Sequence, residues 1–224
     1  VESFGMLCSA KELGLSQEAD GLYELSSSLV LGQTIVDALA LNDSIYHLSI
    51  TPNRADCLSI KGIAREVAAL SDLTLKNKDT VQNLQYKKNN TQKVVIEDPV
   101  LCPRYVGMLI QGVDNKKKLP EFITHYLERG GVSSINPIVD ITNYVLLETG
   151  QPLHAFDHDK IDGNIRVRKA LNGEALLTIN QLEIVFDGGE LIIADNSGPL
   201  ALAGIMGGHL SSTQEGLSLI HISE

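Results

Sequence analysis

The sequence predicts an α+β fold of mostly antiparallel sheets with a few flanking helices, spread over more than one domain. Apolar residues at helical spacing occur first along the chain, and short apolar runs separated by glycine-containing turns follow them. No segment of about 20 to 50 residues repeats, which excludes a solenoid. Hydrophobic residues make up 43% and charged residues 21% of the 224 residues, as in an ordinary globular protein.

Composition excludes several classes of function. The 18 Lys and Arg residues against 28 Asp and Glu residues give a net charge of −10, which argues against phosphate binding over the whole surface but not against a local nucleic-acid site. The three cysteines have no C-x-x-C spacing, so we expect neither a disulfide framework nor a metal site, and a cytoplasmic setting. No apolar run is long enough to cross a membrane. The first residue is Val1, and we interpret the chain as part of a longer protein.

One strong helix is predicted in the first half. It follows a polar loop, with Asp56 as the expected N-cap, and its apolar positions recur at helical spacing up to Leu70. A lysine-, asparagine- and glutamine-rich stretch, 76–93, predicts a linker and a domain boundary. Before the loop, short strands or turns are expected at 21–25 and 29–32, and a short helix at 35–41.

Two further helices are predicted in the second half. Pro120 suits the first turn of one helix, which Gly130 and Gly131 end in a left-handed cap. Asp140 is the expected cap of the next helix, which Gly150 stops. Strands separated by asparagine- and glycine-containing turns are predicted at 94–96, 104–113, 165–168, 182–186, 191–194 and 200–206.

Three groups of residues are candidates for chemistry. His154 follows a helix stop and lies on a predicted loop. Imidazole carries protons near neutral pH, and Asp157 and Asp159 are near enough in sequence to orient the ring. Alternatively, the His154 side chain forms a hydrogen bond within its own turn. Thr142 and Asn143 at a helix start either cap the helix or hold a ligand carbonyl or a water.

The glycine-rich segment 204–208 follows an apolar strand. Its glycines either allow a ligand to approach the backbone closely or pack in a tight turn. The segment matches neither the G-x-G-x-x-G motif nor a P-loop. The basic run 116–118 is either a solvated patch or a phosphate contact.

Several long strings, in a fixed order along positions 1–213, resemble the beta subunit of bacterial phenylalanyl-tRNA synthetases. These strings are VESFGMLCS at 1–9, ITPNRADCLS at 50–59, GIARE at 62–66, DITNYVLLE at 140–148, HAFD at 154–157 and ALAGIMGG at 201–208. The resemblance implies four regions: 1–40, the end of a tRNA-binding OB-fold module; 41–90, a helical linker segment; 91–216, a truncated editing domain; and 217–224, a tail that departs from the family and is interpreted as non-native.

The resemblance also implies a function in translation. The family's enzyme pairs two alpha with two beta subunits and uses ATP and Mg²⁺ to join phenylalanine to its tRNA on the alpha subunit. This chain would therefore bind no cofactor, and its partners would be tRNA(Phe) and the alpha subunit. Its editing domain would hydrolyse tRNA(Phe) mischarged with tyrosine. Such editing is useful because a pocket for a phenyl ring rejects an added hydroxyl only about 10²-fold.

Roles of individual residues follow from the same resemblance. His154 would orient the tRNA terminus or the attacking water, and Thr142 and Asn143 would line the pocket. The substrate-binding residues would be Gly204, Gly207, Gly208 and Glu224, the last accepting the tyrosine hydroxyl proton. We expect the Cα atoms of His154 and the Gly207–Gly208 turn to lie within about 15 Å of each other, the reach of one small-ligand pocket. The alternative is a non-catalytic RNA-binding or subunit-assembly scaffold with an incomplete pocket.

Overall fold

A computed structural model describes residues 5–15, 19–76, 93–209 and 212, and the backbone of 219–223. The contacts divide the chain into two units, Val1–Leu48 and Ser49–Glu224. In the first unit the short helix α1, Ile35–Ala38, is capped by Thr34, and turns or irregular segments make up its other described residues. The predicted linker lies largely outside the described residues, so the four predicted region boundaries stay predictions.

Three longer helices belong to the second unit. Helix α2 spans Ile60–Leu70, α3 spans Glu121–Arg129 and α4 spans Pro137–Thr149. The predicted N-cap of α2 is wrong: Ser59, not Asp56, accepts a hydrogen bond from the Gly62 amide at 2.9 Å. The end of α3 is confirmed, since Gly131 has a φ of 76°. Within the described ranges, no helix combines the length and the apolar character of a membrane span.

Helix α4 begins earlier than predicted. Its N-cap is Asn136, whose side-chain oxygen accepts hydrogen bonds from two amides of the first turn, and Pro137 takes the first helical position. The predicted cap, Asp140, is instead buried within the helix and accepts a hydrogen bond from the Ile135 amide at 2.9 Å. The predicted stop at Gly150 is confirmed by its φ of 79°.

The strands of the described residues form three sheets and confirm the α+β prediction. The strands are β1 Val94–Ile96, β2 Val106–Ile110, β3 Leu153–Asp157, β4 Ile165–Lys169, β5 Ala175–Leu177, β6 Glu183–Val185, β7 Leu191–Ala194, β8 Pro199–Leu202, β9 Met206–Gly207 and β10 Leu219–Ser223. In the five-stranded sheet, with order β1-β4-β7-β8-β9, only the β1–β4 pair is parallel; the sheet β2-β10-β3 and the hairpin β5-β6 are antiparallel. Strand β10 takes its backbone from the region interpreted as a non-native tail, whose origin stays a prediction.

Strand β3 lies between helix α4 and the five-stranded sheet. Ala155 packs against Ile138 of α4, whereas Phe156, fully buried, belongs to a core cluster with Ile193 of the sheet. Because side chains alternate along a strand, His154 shares the face of Phe156. The face of β3 that carries His154 is therefore directed towards the five-stranded sheet, and the opposite face of β3 is directed towards α4.

Candidate functional site

His154 lies on strand β3, not on the predicted loop. Helix α4 ends at the left-handed Gly150, and β3 begins only three residues later, at Leu153. The strand pairs along its whole length with β10, with His154 opposite Ile222. The helix stop was therefore predicted correctly, but the strand that follows it was missed.

The glycine-rich segment turns back on itself where the sequence predicted one strand over 200–206. Strand β8 ends at Leu202, a tight turn follows with Gly204 at a φ of 68°, and β9 pairs back on β8 with Gly207 opposite Ala201. The turn closes with a hydrogen bond from the Ile205 amide to the Leu202 carbonyl at 3.1 Å. A residue with a side chain rarely adopts the φ of Gly204, so this reversal depends on glycine.

His154 and Gly207 are in direct contact. A methyl group added at Gly207 would lie 2.3 Å from Cε1 and 2.8 Å from Nε2 of the His154 ring, far inside van der Waals contact. The absence of a side chain at position 207 is therefore what allows the imidazole to reach the backbone of β9. The predicted convergence of His154 with this turn is confirmed.

A cavity of about 140 Å³ opens beside this contact. A dry apolar cavity of about 150 Å³ accommodates benzene, so the volume suits one aromatic ring. Aliphatic side chains and exposed backbone make up most of the wall, with the imidazole as its ionisable group. The lining residues are Pro152, Leu153, His154, Ile193, Ala201, Leu202, Gly204, Ile205, Met206 and Gly207.

Burial keeps the imidazole of His154 uncharged. Desolvation lowers its pKa from 6.5 to about 4, and the ring packs edge-to-face on Phe156 with 4.5 Å between centroids. Nε2 is buried and has no hydrogen-bond partner among the described residues. At neutral pH the ring can therefore donate or accept a hydrogen bond, but it is a weak general base.

The carboxylates expected to orient His154 do not do so. Asp157 is buried, accepts a hydrogen bond from the Asp159 amide at 3.1 Å and pairs with Lys160 at 3.6 Å. These contacts stabilise the helical turn 158–160 that follows β3. The expectation of an aspartate–histidine pair is therefore wrong.

Thr142 and Asn143 lie in the second turn of α4 and line no part of the cavity described above. The Thr142 hydroxyl donates to the Val139 carbonyl of its own helix at 2.8 Å. Asn143 is partly buried, and no side-chain hydrogen bond is recorded for it among the described residues. Because α4 packs on the Ala155 face of β3, the strand separates this helix from the His154 ring. The role of Thr142 and Asn143 in substrate binding stays a prediction.

The remaining predicted residues have different surroundings. Gly208 is tightly packed, since a methyl group there would lie 2.5 Å from the Leu200 carbonyl oxygen. Its backbone forms an isolated β-bridge with Thr178. It also lines a second cavity, of about 340 Å³, that Lys160 borders. Glu224 lies outside the described residues. Whether either of them binds substrate stays a prediction.

Ile179 is a residue of the site that the sequence did not suggest. It lies in the turn between β5 and β6, and its amide donates to the Gly207 carbonyl at 3.0 Å. Its Cδ1 would lie 3.0 Å from a methyl group on Gly207, so it packs against β9 beside the His154 ring. No local pattern could have revealed it, because the contact joins residues 28 apart in the chain.

A second cluster of potential ligands lies at the start of α2. Donor atoms of Asp56, Cys57 and Glu66 lie within 4.8 Å of one another. The Arg54 guanidinium already bonds to this cluster, with its Nη2 3.0 Å from Asp56, 2.5 Å from Glu66 and 3.1 Å from the Cys57 sulfur. Burial also raises the pKa of the Cys57 thiol. Arg54 therefore supplies the positive charge that a metal ion would otherwise provide.

Comparison with known proteins gives matches over most of the chain. The profile of the B3/4 domain family matches residues 101–222. The phenylalanine–tRNA ligase beta subunit of Methylococcus capsulatus is 48% identical over 212 residues, which are 95% of this chain and 27% of the relative. The corresponding subunit of Chromobacterium violaceum is 49% identical over 211 residues, 94% of this chain and 27% of the relative. These matches confirm the predicted resemblance.

The match to solved structures is weaker. A crystal structure of an N-terminal fragment of the phenylalanyl-tRNA synthetase beta subunit from Pyrococcus horikoshii aligns with a TM-score of 0.46 and 17% identity, covering 81% of this chain and 57% of that chain. The chain spans 27% of the length of the first two curated relatives.

Proposed function

Given that this chain belongs to the B3/4 domain family and matches a segment of phenylalanine–tRNA ligase beta subunits, we propose that its second unit releases tyrosine wrongly attached to tRNA(Phe). The observation that supports this function is the contact of the His154 ring with Gly207 beside a cavity the size of one aromatic ring. A phenol ring fits such a cavity, and the backbone of the exposed turn between β8 and β9, at Gly204 and Ile205, can contact the amino acid.

The reaction is hydrolysis of an ester. Water attacks the carbonyl carbon and the bond to the ribose oxygen breaks. Of the two protons of that water, one passes to the ribose oxygen and the other to solvent, so tyrosine leaves with its carboxyl group as a carboxylate. A neutral imidazole with a pKa of about 4 contributes little as a proton acceptor near pH 7. His154 therefore acts by hydrogen bonding, holding either the water or the tRNA terminus in position.

The wider setting is proposed from the family resemblance. The longer protein would assemble with an alpha subunit, where ATP and Mg²⁺ serve aminoacylation, and would act in the cytoplasm on tRNA(Phe). This chain would bind no cofactor itself. Residues 1–40 would belong to a tRNA-binding module.

A non-catalytic RNA-binding or assembly scaffold is the second candidate. The position of Thr142 and Asn143 favours it, because neither lines the cavity beside His154 and the Thr142 hydroxyl is engaged within its own helix. In that case the fold would be retained while the pocket stays incomplete.

A deacylation assay separates the two candidates. Tyrosyl-tRNA(Phe) is incubated with the longer beta subunit, assembled with its partner, and with its His154→Ala variant, while tRNA binding is measured in parallel. Editing predicts that the unmodified protein releases tyrosine well above the buffer rate and that the variant binds tRNA but loses most of this release. If the unmodified protein binds tRNA but releases tyrosine only at the buffer rate, the scaffold is correct and the editing proposal is wrong.

A further inference from the structure

An aromatic surface lies where helices α3 and α4 meet, away from the His154 cavity. It consists of Phe122 and Tyr126 on α3 and Tyr144 on α4. The Phe122 and Tyr144 rings are edge-to-face with 6.1 Å between centroids, and Tyr126 is tilted against Tyr144 at 4.9 Å. The Tyr126 hydroxyl donates to Glu148. The two tyrosine rings are thus held by packing and by a hydrogen bond before any partner arrives.

Phe122 offers much of its ring to solvent. Its exposed fraction is 61%, and an edge-to-face pair covers at most one face of a ring. A planar, exposed ring on a rigid support is the element on which unpaired bases stack in single-stranded nucleic-acid binding, at a low entropic cost.

Basic side chains precede this surface closely along the chain. Lys117 and Lys118 are exposed, and no ion pair is recorded for them within the described part of the chain. Lys118 precedes Phe122 by four residues, which at most span about 14 Å. Over residues 104–129 the sequence has five basic and three acidic side chains, in a chain of net charge −10. The basic ones are Arg104, Lys116, Lys117, Lys118 and Arg129.

We propose that the aromatic surface stacks an unpaired nucleotide of RNA, and that Lys117 and Lys118 contact the neighbouring phosphates. The proposal rests on the proposed function in one respect, that the partner is an RNA. Tyr144 belongs to helix α4, which also carries the predicted pocket residues Thr142 and Asn143. A protein partner that docks on the aromatic surface would instead use its apolar area and would not need Lys117 and Lys118.

The test measures binding of a fluorescein-labelled single-stranded 12-nucleotide RNA to the full chain by anisotropy. Phe122→Ala is expected to weaken binding about 5- to 10-fold, the lower end of the range for loss of one stacked base. Phe122→Tyr should bind like the unmodified chain, and Phe122→Leu, which keeps apolar area without an aromatic face, should bind like Phe122→Ala. Leu171→Ala, at a residue 65% exposed, is the matched control and should change nothing.

Salt dependence tests the lysines separately. A double variant, Lys117→Gln with Lys118→Gln, should reduce the slope of log affinity against log salt by about 1.4, because each phosphate contact to a single strand contributes about 0.7. Absence of RNA binding, equal affinities for Phe122→Ala and the unmodified chain, or full affinity in Phe122→Leu would each overturn the proposal, the last because the RNA would then contact apolar area without stacking on an aromatic ring. Binding that depends on Phe122 while tyrosine release is absent would leave this proposal standing and refute editing.

Discussion

The stability of this protein should fall in mild acid because of His154. The buried imidazole is uncharged in the folded state, with a pKa lowered from 6.5 to about 4 by desolvation. When the chain unfolds, the ring returns to water and its pKa returns to about 6.5. Between these two values the unfolded state binds a proton that the folded state does not. His154 therefore does not affect the free energy of unfolding above pH 6.5, and it lowers this free energy progressively as pH falls from 6.5 towards 4.

The size of the effect follows from the same two values. At pH 7.5 the ring is neutral in both states and contributes nothing. At pH 5.0 it is protonated in the unfolded state and still neutral in the folded state, which lowers the free energy of unfolding by about 2 kcal/mol. A loss of this size is a large part of the stability of a small domain.

Urea denaturation at pH 7.5 and pH 5.0 measures the effect. The change in unfolding free energy between the two pH values is obtained for the unmodified chain and for His154→Gln, so that contributions of all other groups cancel in the difference. We expect the variant to lose about 2 kcal/mol less than the unmodified chain over this interval. An equal loss in both proteins would show that His154 is not desolvated, and the assignment of a neutral ring at the site would be wrong.

Three further predictions concern stability. Gly208→Ala should cost at least about 2 kcal/mol in the free energy of unfolding, because the new methyl group would lie 2.5 Å from the Leu200 carbonyl oxygen, which the strand cannot move aside; an unchanged urea midpoint would contradict this packing. Asn136→Ala removes the α4 cap and should cost about 1 kcal/mol, whereas Asn136→Asp should restore most of it; equal stabilities would refute the cap. Glu174→Gln breaks a bidentate pair with Arg168. That pair lowers the pKa of Glu174, so its contribution to the free energy of unfolding is fully present above about pH 4.5 and is lost as pH falls below that value. The variant should therefore be less stable than the unmodified chain at neutral pH, and a stability difference that stays the same at pH 3 would contradict the pairing.

Local signals in the sequence were sufficient for most of the helices and turns. Pro120 and the Gly130–Gly131 pair delimit α3 as expected, and Gly150 ends α4. The predicted start of α4 at Asp140 is wrong, although Asn136 followed by Pro137 is itself a signal for an N-cap and a first helical turn. In both helices an uncharged polar residue, Ser59 or Asn136, is the N-cap in place of the predicted aspartate.

Long-range pairing explains what the sequence could not predict. Strand β3 follows directly on a helix stop, and it is a strand because β10 pairs with it from more than 60 residues away. The order of the strands predicts that His154 and the Gly207–Gly208 turn converge at one end of a sheet, but the sequence gives no signal for the approach of Ile179 to Gly207. The desolvation of His154 likewise depends on how its ring packs against Phe156 and the opposing sheet. A local sequence pattern does not reveal this packing.

The contact between residues 154 and 207 is the part of the site on which the proposed hydrolysis depends, and a single substitution tests it. Gly207→Ala places a methyl group 2.3 Å from the His154 ring and displaces it, whereas Gly130→Ala adds the same group where it meets mainly the flexible end of Leu147. In the assembled longer subunit, we expect Gly207→Ala to slow tyrosine release from tyrosyl-tRNA(Phe) about 100-fold, and Gly130→Ala to leave the rate unchanged. Release by Gly207→Ala at the rate of the unmodified protein would contradict the proposal that this contact forms the hydrolytic site.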